Sequence, residues 1–90
     1  MDFGIAIIKT SHMFYTYVLR SKKDNKLYIG QSDNLKRRIA DHQEGRVLST
    51  KHRRPMELVY YESCLNEEKS VKREKYFKTG FGRVFLKNRI

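Results

Sequence analysis

The fold is decided by residues 14–42, FYTYVLRSKKDNKLYIGQSDNLKRRIADH, where two strand patterns are followed by a helix pattern. Residues 14–20 and 26–31 are rich in aromatic and β-branched side chains, which favour strands. The residues between them, 21–25, are polar and have the turn chemistry of a hairpin. We therefore predict that the two strands pair in an antiparallel manner.

The register of this hairpin decides where its tyrosines lie. A turn centred on Lys22 and Lys23 would place Tyr17 directly opposite Tyr28. Side chains that face each other across antiparallel strands are ~5 Å apart and project from the same face of the sheet. The sequence therefore predicts two phenol hydroxyls in one patch.

A first helix and a third strand follow the hairpin. Residues 32–34 supply N-cap candidates for the helix, which carries the apolar i, i+4 pair Leu35 and Ile39 and ends at Gly45. After a basic loop, residues 57–62 have the pattern of a strand.

Two helices are predicted after the third strand. Asn66, followed by two glutamates, has the acidic start typical of a helix, and this second helix runs to Lys78 and stops at Gly80. Residues 83–87 form a short last helix. The predicted fold is an α/β chain of the α+β type, with a three-stranded antiparallel sheet flanked by helices.

The length of the chain predicts one small domain. Ninety residues offer little surface for a second core. The strong strand pattern begins only after residue 12, so we interpret residues 1–12 as a disordered N-terminal extension and residues 13–90 as the domain.

The charge balance points to a polyanionic partner. The chain has 20 Lys and Arg against 10 Asp and Glu, a formal charge of +10, which favours nucleic acid. A membrane is disfavoured, because no apolar run approaches ~20 residues and no helix combines a basic face with a wide apolar one. The single cysteine, Cys64, excludes an intramolecular disulfide and indicates a reducing compartment. We expect a cytoplasmic, nucleoid-associated protein.

The first helix separates its charges into two groups. With ~3.6 residues per turn, Arg38 and His42 flank the stripe formed by Leu35 and Ile39, whereas Arg37 points to water. Two interpretations remain for the flanking pair. Arg38 either binds phosphate or covers the sheet with its aliphatic stem, and His42 is either functional or a hydrogen-bonded packing residue.

A carboxylate on the second helix faces inward. Glu74 lies between the apolar residues Val71 and Phe77 on the helix surface. Carboxylates are rarely buried without a partner, so Glu74 either forms an ion pair, with Arg38 or a neighbour, or holds a metal ion.

The chemistry of phosphodiester hydrolysis connects these groups. The reaction needs a nucleophilic water, a general base and positive charge at the phosphoryl oxygens. Mg²⁺ is held by one or two protein carboxylates, with water and substrate phosphate completing its shell, so Glu74 alone suffices for a one-metal site with Mg²⁺ or Mn²⁺. Asp33 and Asp41 are better explained as helix-capping and exposed residues.

The arrangement resembles the GIY-YIG nuclease family. Residues 28–30, Tyr-Ile-Gly, match its second motif, residues 15–17, Tyr-Thr-Tyr, stand in place of Gly-Ile-Tyr, and the resemblance extends to about residue 86. In that family the two motif tyrosines, a helix arginine and a glutamate that binds the metal form the active site, and a histidine helps to deprotonate water in many members. The resemblance implies a catalytic set that comprises Tyr17, Tyr28, Arg38, His42 and Glu74.

The resemblance also implies a branch and a partner. Residues 73–83 look like the small single-domain branch, which is similar to the N-terminal nuclease domain of the excision-repair endonuclease. This chain departs from the family at residues 15–16, and Gln31 stands where the excision-repair members carry a lysine. The expected substrate is DNA, with RNA not excluded, in a repair or recombination setting.

A basic track is predicted to follow the nucleic-acid backbone. Its members are exposed cations on the loop and on both long helices: Lys36, Arg37, Arg53, Arg54, Lys72, Arg73, Lys75 and Lys78. We expect a monomeric, metal-dependent endonuclease directed by DNA structure or by a targeting protein. The alternative is a basic nucleic-acid-binding module whose nuclease activity is weak or lost.

Overall fold

The computed structural model describes residues 12–90, and the chain folds there into seven elements. In chain order these are β1 (Phe14–Ser21), β2 (Leu27–Ser32), α1 (Leu35–Gln43), α2 (Leu48–Lys51), β3 (Met56–Cys64), α3 (Glu67–Phe77) and α4 (Gly80–Lys87). The predicted N-terminal extension, residues 1–12, lies outside the described part except for His12, whose Nε2 is 3.4 Å from Asp33 Oδ2.

The three strands form one antiparallel sheet in the order β2-β1-β3, so the first strand is central. Helices flank this sheet, and the predicted fold class is confirmed. None of the helices among residues 12–90 is long and apolar enough to cross a membrane.

The predicted hairpin register is wrong: the pairing is shifted by two residues. Tyr17 lies opposite Gly30, and Tyr28 lies opposite Leu19. The turn is centred one residue later than expected, because the Ser21 amide donates to the Lys26 carbonyl at 2.9 Å and Asn25 takes a positive φ of 62°. The shift moves the pairing by two residues, so Tyr17 and Tyr28 remain on the same face of the sheet.

The first helix begins and ends as the sequence predicts. The Asn34 side chain accepts a hydrogen bond from the Arg37 amide, which satisfies one free N–H at the helix start. Gly45, two residues after Gln43, adopts a φ of 78°, the left-handed conformation that glycine tolerates best.

The segment between α1 and β3 was predicted as a basic loop, and this is wrong in one respect. Residues Leu48–Lys51 form a short helix, α2, whose N-cap Val47 and third residue Thr50 are buried. A single turn of helix is too short to show a periodic pattern in the sequence. This segment therefore packs against the protein through Val47 and Thr50, although its sequence is strongly basic.

Side chains of β1 alternate between two cores. On one face, Tyr17 and Leu19 pack with Met56, and α1 covers them through Leu35 and Ile39. This is the face on which the tyrosines lie, so α1 and the tyrosines are held against each other by apolar contacts.

The other face of the sheet is covered by α3 and α4. Val18 and Ile29 pack there against Phe77 and Leu86. The Thr16 hydroxyl donates to the carbonyl of a residue in α3, Ser70, at 2.9 Å. The last helix starts at Gly80, three residues earlier than predicted, because Thr79 accepts a hydrogen bond from the Gly82 amide and caps it.

Candidate active site

Tyr17 is the buried centre of the candidate site, with 1% of its surface exposed. It comes from the central strand, and its ring lies over its neighbour on β2, Gly30. A Cβ atom at Gly30 would lie 2.4 Å from the Tyr17 hydroxyl. A side chain at position 30 would therefore collide with the Tyr17 phenol, and glycine leaves the space that the phenol occupies.

A chain of hydrogen bonds continues from this hydroxyl into the protein. The Tyr17 hydroxyl lies 2.9 Å from His42 Nε2, and His42 Nδ1 lies 2.7 Å from the Thr50 hydroxyl. His42 and Thr50 are both fully buried. Both ring nitrogens of His42 therefore have partners, as buried polar groups generally do, which fits a functional histidine and a hydrogen-bonded packing histidine equally.

Burial sets the protonation states of this pair. Burial raises the pKa of Tyr17 to about 12, although the adjacent Arg38 guanidinium acts in the opposite direction. Burial lowers the pKa of His42 to about 4, and the charge of Arg38 adds to this effect. At neutral pH the site therefore holds a protonated phenol and a neutral imidazole.

Arg38 and Tyr28 complete the side of the site formed by β2 and α1. Arg38 is half-buried, and Arg37 is exposed, as predicted from the helix geometry. The nearest carboxylate oxygen to the Arg38 guanidinium is Asp41 Oδ2, at 3.9 Å. The Tyr28 ring centroid is 4.8 Å from that of His42 and 6.4 Å from that of Tyr17. The two tyrosines, the arginine and the histidine therefore form one cluster.

Glu74 lies on α3. Burial is the main cause of the raised pKa of Tyr17, and the negative charge of Glu74 acts in the same direction. Its side chain is 24% exposed, and its Oε2 pairs at 3.1 Å with Lys78 one turn later, not with Arg38. Its other oxygen, Oε1, has no hydrogen-bond partner among the described residues.

The donor set fits one hard divalent cation and no cluster site. No group of three or more His, Cys, Asp or Glu side chains converges on a metal position within residues 12–90. Mg²⁺ needs only one or two protein carboxylates when water and substrate phosphate fill the rest of its shell. Glu74, with one free oxygen, meets that requirement.

The predicted basic track divides into free and engaged cations. Lys36, Arg37 and Lys75 are exposed. Lys72 pairs with Glu68 at 3.3 Å and Lys78 pairs with Glu74, both on the helix surface, where such pairs are weak. These lysines remain available to phosphate.

The two loop arginines are engaged in holding the fold. Arg53 pairs with Asp24 at 3.1 Å and donates to the Lys26 carbonyl at 3.0 Å. Arg54 donates to the Lys51 carbonyl at 3.0 Å and packs against Gly45, where a Cβ atom would lie 2.8 Å from its guanidinium. Arg73 is engaged as well, by both oxygens of Glu62 at 2.8 and 2.9 Å.

Sequence reasoning missed two residues that shape the site. Thr50 lies eight residues after His42, across a turn, and no helical or strand period joins them. The packing role of Gly30 depends on the strand register, since its contact partner, Tyr17, is on another strand. Its place in a matched motif was the only signal.

The chain is a small α+β domain in which two tyrosines, an arginine and a histidine form one cluster. The model of the GIY-YIG catalytic domain matches residues 13–88. The chain belongs to the GIY-YIG family, which is a family of nucleases.

Several bacterial relatives are similar over most of their length. A UPF0213 protein of Pediococcus pentosaceus is 44% identical over 66 residues, which is 72% of this chain and 68% of the relative. A UPF0213 protein of Staphylococcus haemolyticus is 41% identical, over 72% of this chain and 79% of the relative. The UPF0213 protein YazA of Bacillus subtilis is 36% identical, over 79% and 71% respectively. No solved structure matches the chain.

Proposed function

We propose that the protein is a divalent-metal-dependent endonuclease that hydrolyses DNA phosphodiester bonds. One observation carries the proposal. The Tyr17 hydroxyl is hydrogen-bonded to the buried, neutral His42 beside Arg38, whose nearest carboxylate, that of Asp41, is 3.9 Å away and also pairs with Arg46 at 2.8 Å. A proton acceptor and a positive charge in one place are what attack on a phosphodiester needs.

The protonated phenol of Tyr17 and the neutral imidazole of His42 favour a proton relay. Tyr17 is a phenol at neutral pH, so it takes a proton from the attacking water only as it passes its own proton to His42 Nε2. The water oxygen then forms its bond to phosphorus. The bond from phosphorus to the 3′ oxygen breaks, and the 3′ oxygen leaves with the electron pair and takes a proton from solvent.

Arg38 supports this step electrostatically. It lies beside both ends of the relay, since it lowers the pKa of Tyr17 and of His42. Its guanidinium would donate to the phosphoryl oxygens, where negative charge grows as the water attacks. Tyr28, with its ring against His42, bounds the site on the side of β2.

Glu74 would hold Mg²⁺ or Mn²⁺ through its free oxygen. When bound, the cation would supply positive charge to the phosphate and lower the pKa of a coordinated water.

The path of the nucleic acid is proposed to follow two sets of cations. One set is on the helices, Lys36, Arg37, Lys72, Lys75 and Lys78. The other lines a cleft of about 660 Å³ beside α2, where Lys23 and Lys51 lie without any carboxylate in the lining. Such contacts to phosphate give affinity without sequence preference. A preference for DNA structure, or a targeting protein, would then select the substrate.

The alternative is a binding module with little nuclease activity, and Glu74→Gln separates the two. The change keeps the shape of the side chain but removes the metal-binding charge, so cleavage of branched, nicked and linear DNA in Mg²⁺ or Mn²⁺ should disappear. Metal-free DNA binding should persist or tighten, because a repulsive charge is lost. The melting temperature should change little, because exposed ion pairs contribute only ~0–1 kcal/mol.

Glu68→Gln is the matched control for that experiment. Glu68 lies on the same helix and pairs with Lys72 in the same i, i+4 geometry, but away from the cluster. It should cleave like the native protein. A Glu74→Gln protein that still cuts would overturn the metal assignment, and a native protein that binds every substrate without cutting would favour the binding module.

A further inference from the structure

We propose that Thr50 is a positioning residue, whose hydroxyl holds His42 in the tautomer that carries its proton on Nδ1 and leaves Nε2 free to accept from Tyr17. The effect on cleavage rests on the proposed nuclease function, whereas the tautomer itself does not. Nothing in the family match assigns a role to Thr50, which lies in the segment predicted as a loop.

The contacts form a continuous buried line. Tyr17, His42 and Thr50 are each at most 1% exposed. The hydroxyl oxygen of Thr50 lies 2.7 Å from His42 Nδ1 and 3.5 Å from the Val47 carbonyl oxygen. A neutral imidazole donates from one nitrogen and accepts at the other, so one proton position fixes the direction of the whole line.

Arg38 decides that direction. Its guanidinium adjoins the Tyr17 hydroxyl, and because arginine has only donors it can take no proton from the phenol. Among the described residues, His42 Nε2 is the acceptor within hydrogen-bond distance of the Tyr17 hydroxyl. The phenol therefore donates to Nε2, and the proton of the neutral ring must be on Nδ1, where it is donated to Thr50.

The opposite direction leaves a buried group unsatisfied. If Thr50 donated to His42 Nδ1, the ring would donate from Nε2 to the Tyr17 oxygen, and the phenol proton would have no acceptor in the described part of the chain. The direction proposed here requires that the Thr50 hydroxyl donate over 3.5 Å to the Val47 carbonyl, which also accepts from the Thr50 and Lys51 amides. Leaving the buried Tyr17 hydroxyl proton without an acceptor costs more free energy than a long hydrogen bond from Thr50 does.

Contacts outside the Tyr17–His42–Thr50 chain of hydrogen bonds fix the position of Thr50. The Thr50 and Lys51 amides both donate to the Val47 carbonyl, at 3.1 and 2.9 Å, which closes the single turn of α2. Arg54 ties this turn to the end of α1, since it donates to the Lys51 carbonyl and to the Gln43 carbonyl. This bracing explains why an arginine that the sequence assigned to DNA is turned toward the protein.

Nuclear magnetic resonance of the nitrogen-labelled protein tests the tautomer directly. The chain has three histidines, so a variant with His12→Gln and His52→Gln leaves only His42 to observe. A two-bond hydrogen–nitrogen correlation spectrum distinguishes a protonated ring nitrogen from an unprotonated one. We expect protonated Nδ1 and unprotonated Nε2. The reverse assignment would overturn the inference whether or not the protein cuts DNA.

Thr50→Val and Thr50→Ser test the hydroxyl. Valine keeps the shape and removes the hydroxyl, so the Nδ1 tautomer should give way to a mixture, and kcat should fall by about 10–100-fold with KM little changed, the size of effect seen when a partner orienting a functional histidine is lost. Serine keeps the hydroxyl and should restore both the tautomer and most of kcat.

The outcomes separate this inference from the proposed function. A native protein with protonated Nδ1 that cuts no substrate would refute the nuclease proposal and leave the tautomer assignment standing. A Thr50→Val protein that keeps the native tautomer would refute the role of Thr50, even if it cut more slowly, because the loss would then be structural.

Discussion

Two arginines in this molecule lie beside aromatic rings with nearly the same side-chain exposure, 38% for Arg38 and 36% for Arg73. Arg73 is held by both oxygens of Glu62, and its guanidinium carbon lies 4.7 to 5.0 Å from the ring centroids of Phe77, Phe85 and Tyr76. Arg38 adjoins two phenols and has its nearest carboxylate at 3.9 Å.

The difference lies in whether the positive charge is already matched. Arg73 and Glu62 form a closed pair that joins α3 to β3, and the Glu62 pKa is lowered chiefly by its hydrogen bonds from Arg73. Arg38 has only a long contact, of 3.9 Å, with Asp41, a carboxylate that also pairs with Arg46 at 2.8 Å, so its charge is less closely matched than that of Arg73. Exposure and aromatic neighbours do not distinguish the two arginines, whereas the distance to the nearest carboxylate oxygen does, 3.9 Å for Arg38 and 2.8 Å for Arg73.

The largest effect is expected from Arg38→Ala. Removing a donor placed at the developing negative charge should lower kcat by about 10²–10³-fold, with little change in melting temperature. Cleavage of a labelled substrate under single-turnover conditions measures this.

Arg37→Ala is the internal control, since it removes the same charge from the outer face of the same helix. It should weaken binding and leave kcat within a few-fold of the native value. Equal losses of kcat in the two variants would mean that Arg38, like Arg73, is structural.

A second prediction concerns acid. Because the folded pKa of His42, about 4, is below its ordinary value of 6.5, the unfolded chain takes up a proton first as pH falls. The stability contributed by neutral His42 is present above pH 6.5 and is lost between 6.5 and 4. Between pH 7 and 5 the loss should be about 2 kcal/mol, as measured by urea unfolding.

Two variants test whether the pH dependence of the unfolding free energy comes from His42. His42→Gln should flatten the change between pH 7 and 5. Glu62→Gln should leave it intact, because the Glu62 pKa is lowered below its ordinary 4.5 and its pairing is lost only in stronger acid. A native protein whose stability is constant over this interval would mean that His42 is not held neutral by burial.

The smallest effect is expected from Arg73→Ala, which should lower the free energy of unfolding by roughly 1–2 kcal/mol through the loss of a half-exposed ion pair and its ring contacts. Per-molecule cleavage should stay within a few-fold of native. Arg83→Ala, which removes an exposed charge from α4, should leave stability nearly unchanged. If Arg73→Ala abolished cleavage without destabilising the protein, Arg73 would not be a structural residue, and the proposed difference between Arg73 and Arg38 would be wrong.

The sequence predicted the three strands and the three longer helices but not α2, and it predicted which side of α1 faces the sheet, because strand composition, Asn34 and Gly45 are local signals. It placed Tyr17 and Tyr28 on one face correctly but in the wrong register. The turn position depends on Ser21, whose hydroxyl accepts from the Lys23 and Asp24 amides at 3.1 Å and donates to the Arg53 carbonyl, far along the chain.

The rest of the site depended on contacts that composition cannot show. A cluster of cations such as residues 51–54 has the same sequence pattern whether its guanidinium groups meet solvent or backbone carbonyls. Arg53 and Arg54 meet carbonyls. Thr50 could not be predicted for the same reason, since only its hydrogen bond to His42, formed across a turn, connects it to the site.

The contact between Tyr17 and Gly30 has a consequence for how the two halves of the family motif are to be understood. Tyrosine and glycine stand opposite each other on neighbouring strands, and the space that one lacks is filled by the ring of the other. They behave as a single interlocking unit that is split between two places in the chain. A larger residue at position 30 would therefore be tolerated only together with a smaller one at position 17, and that exchange would remove the phenol.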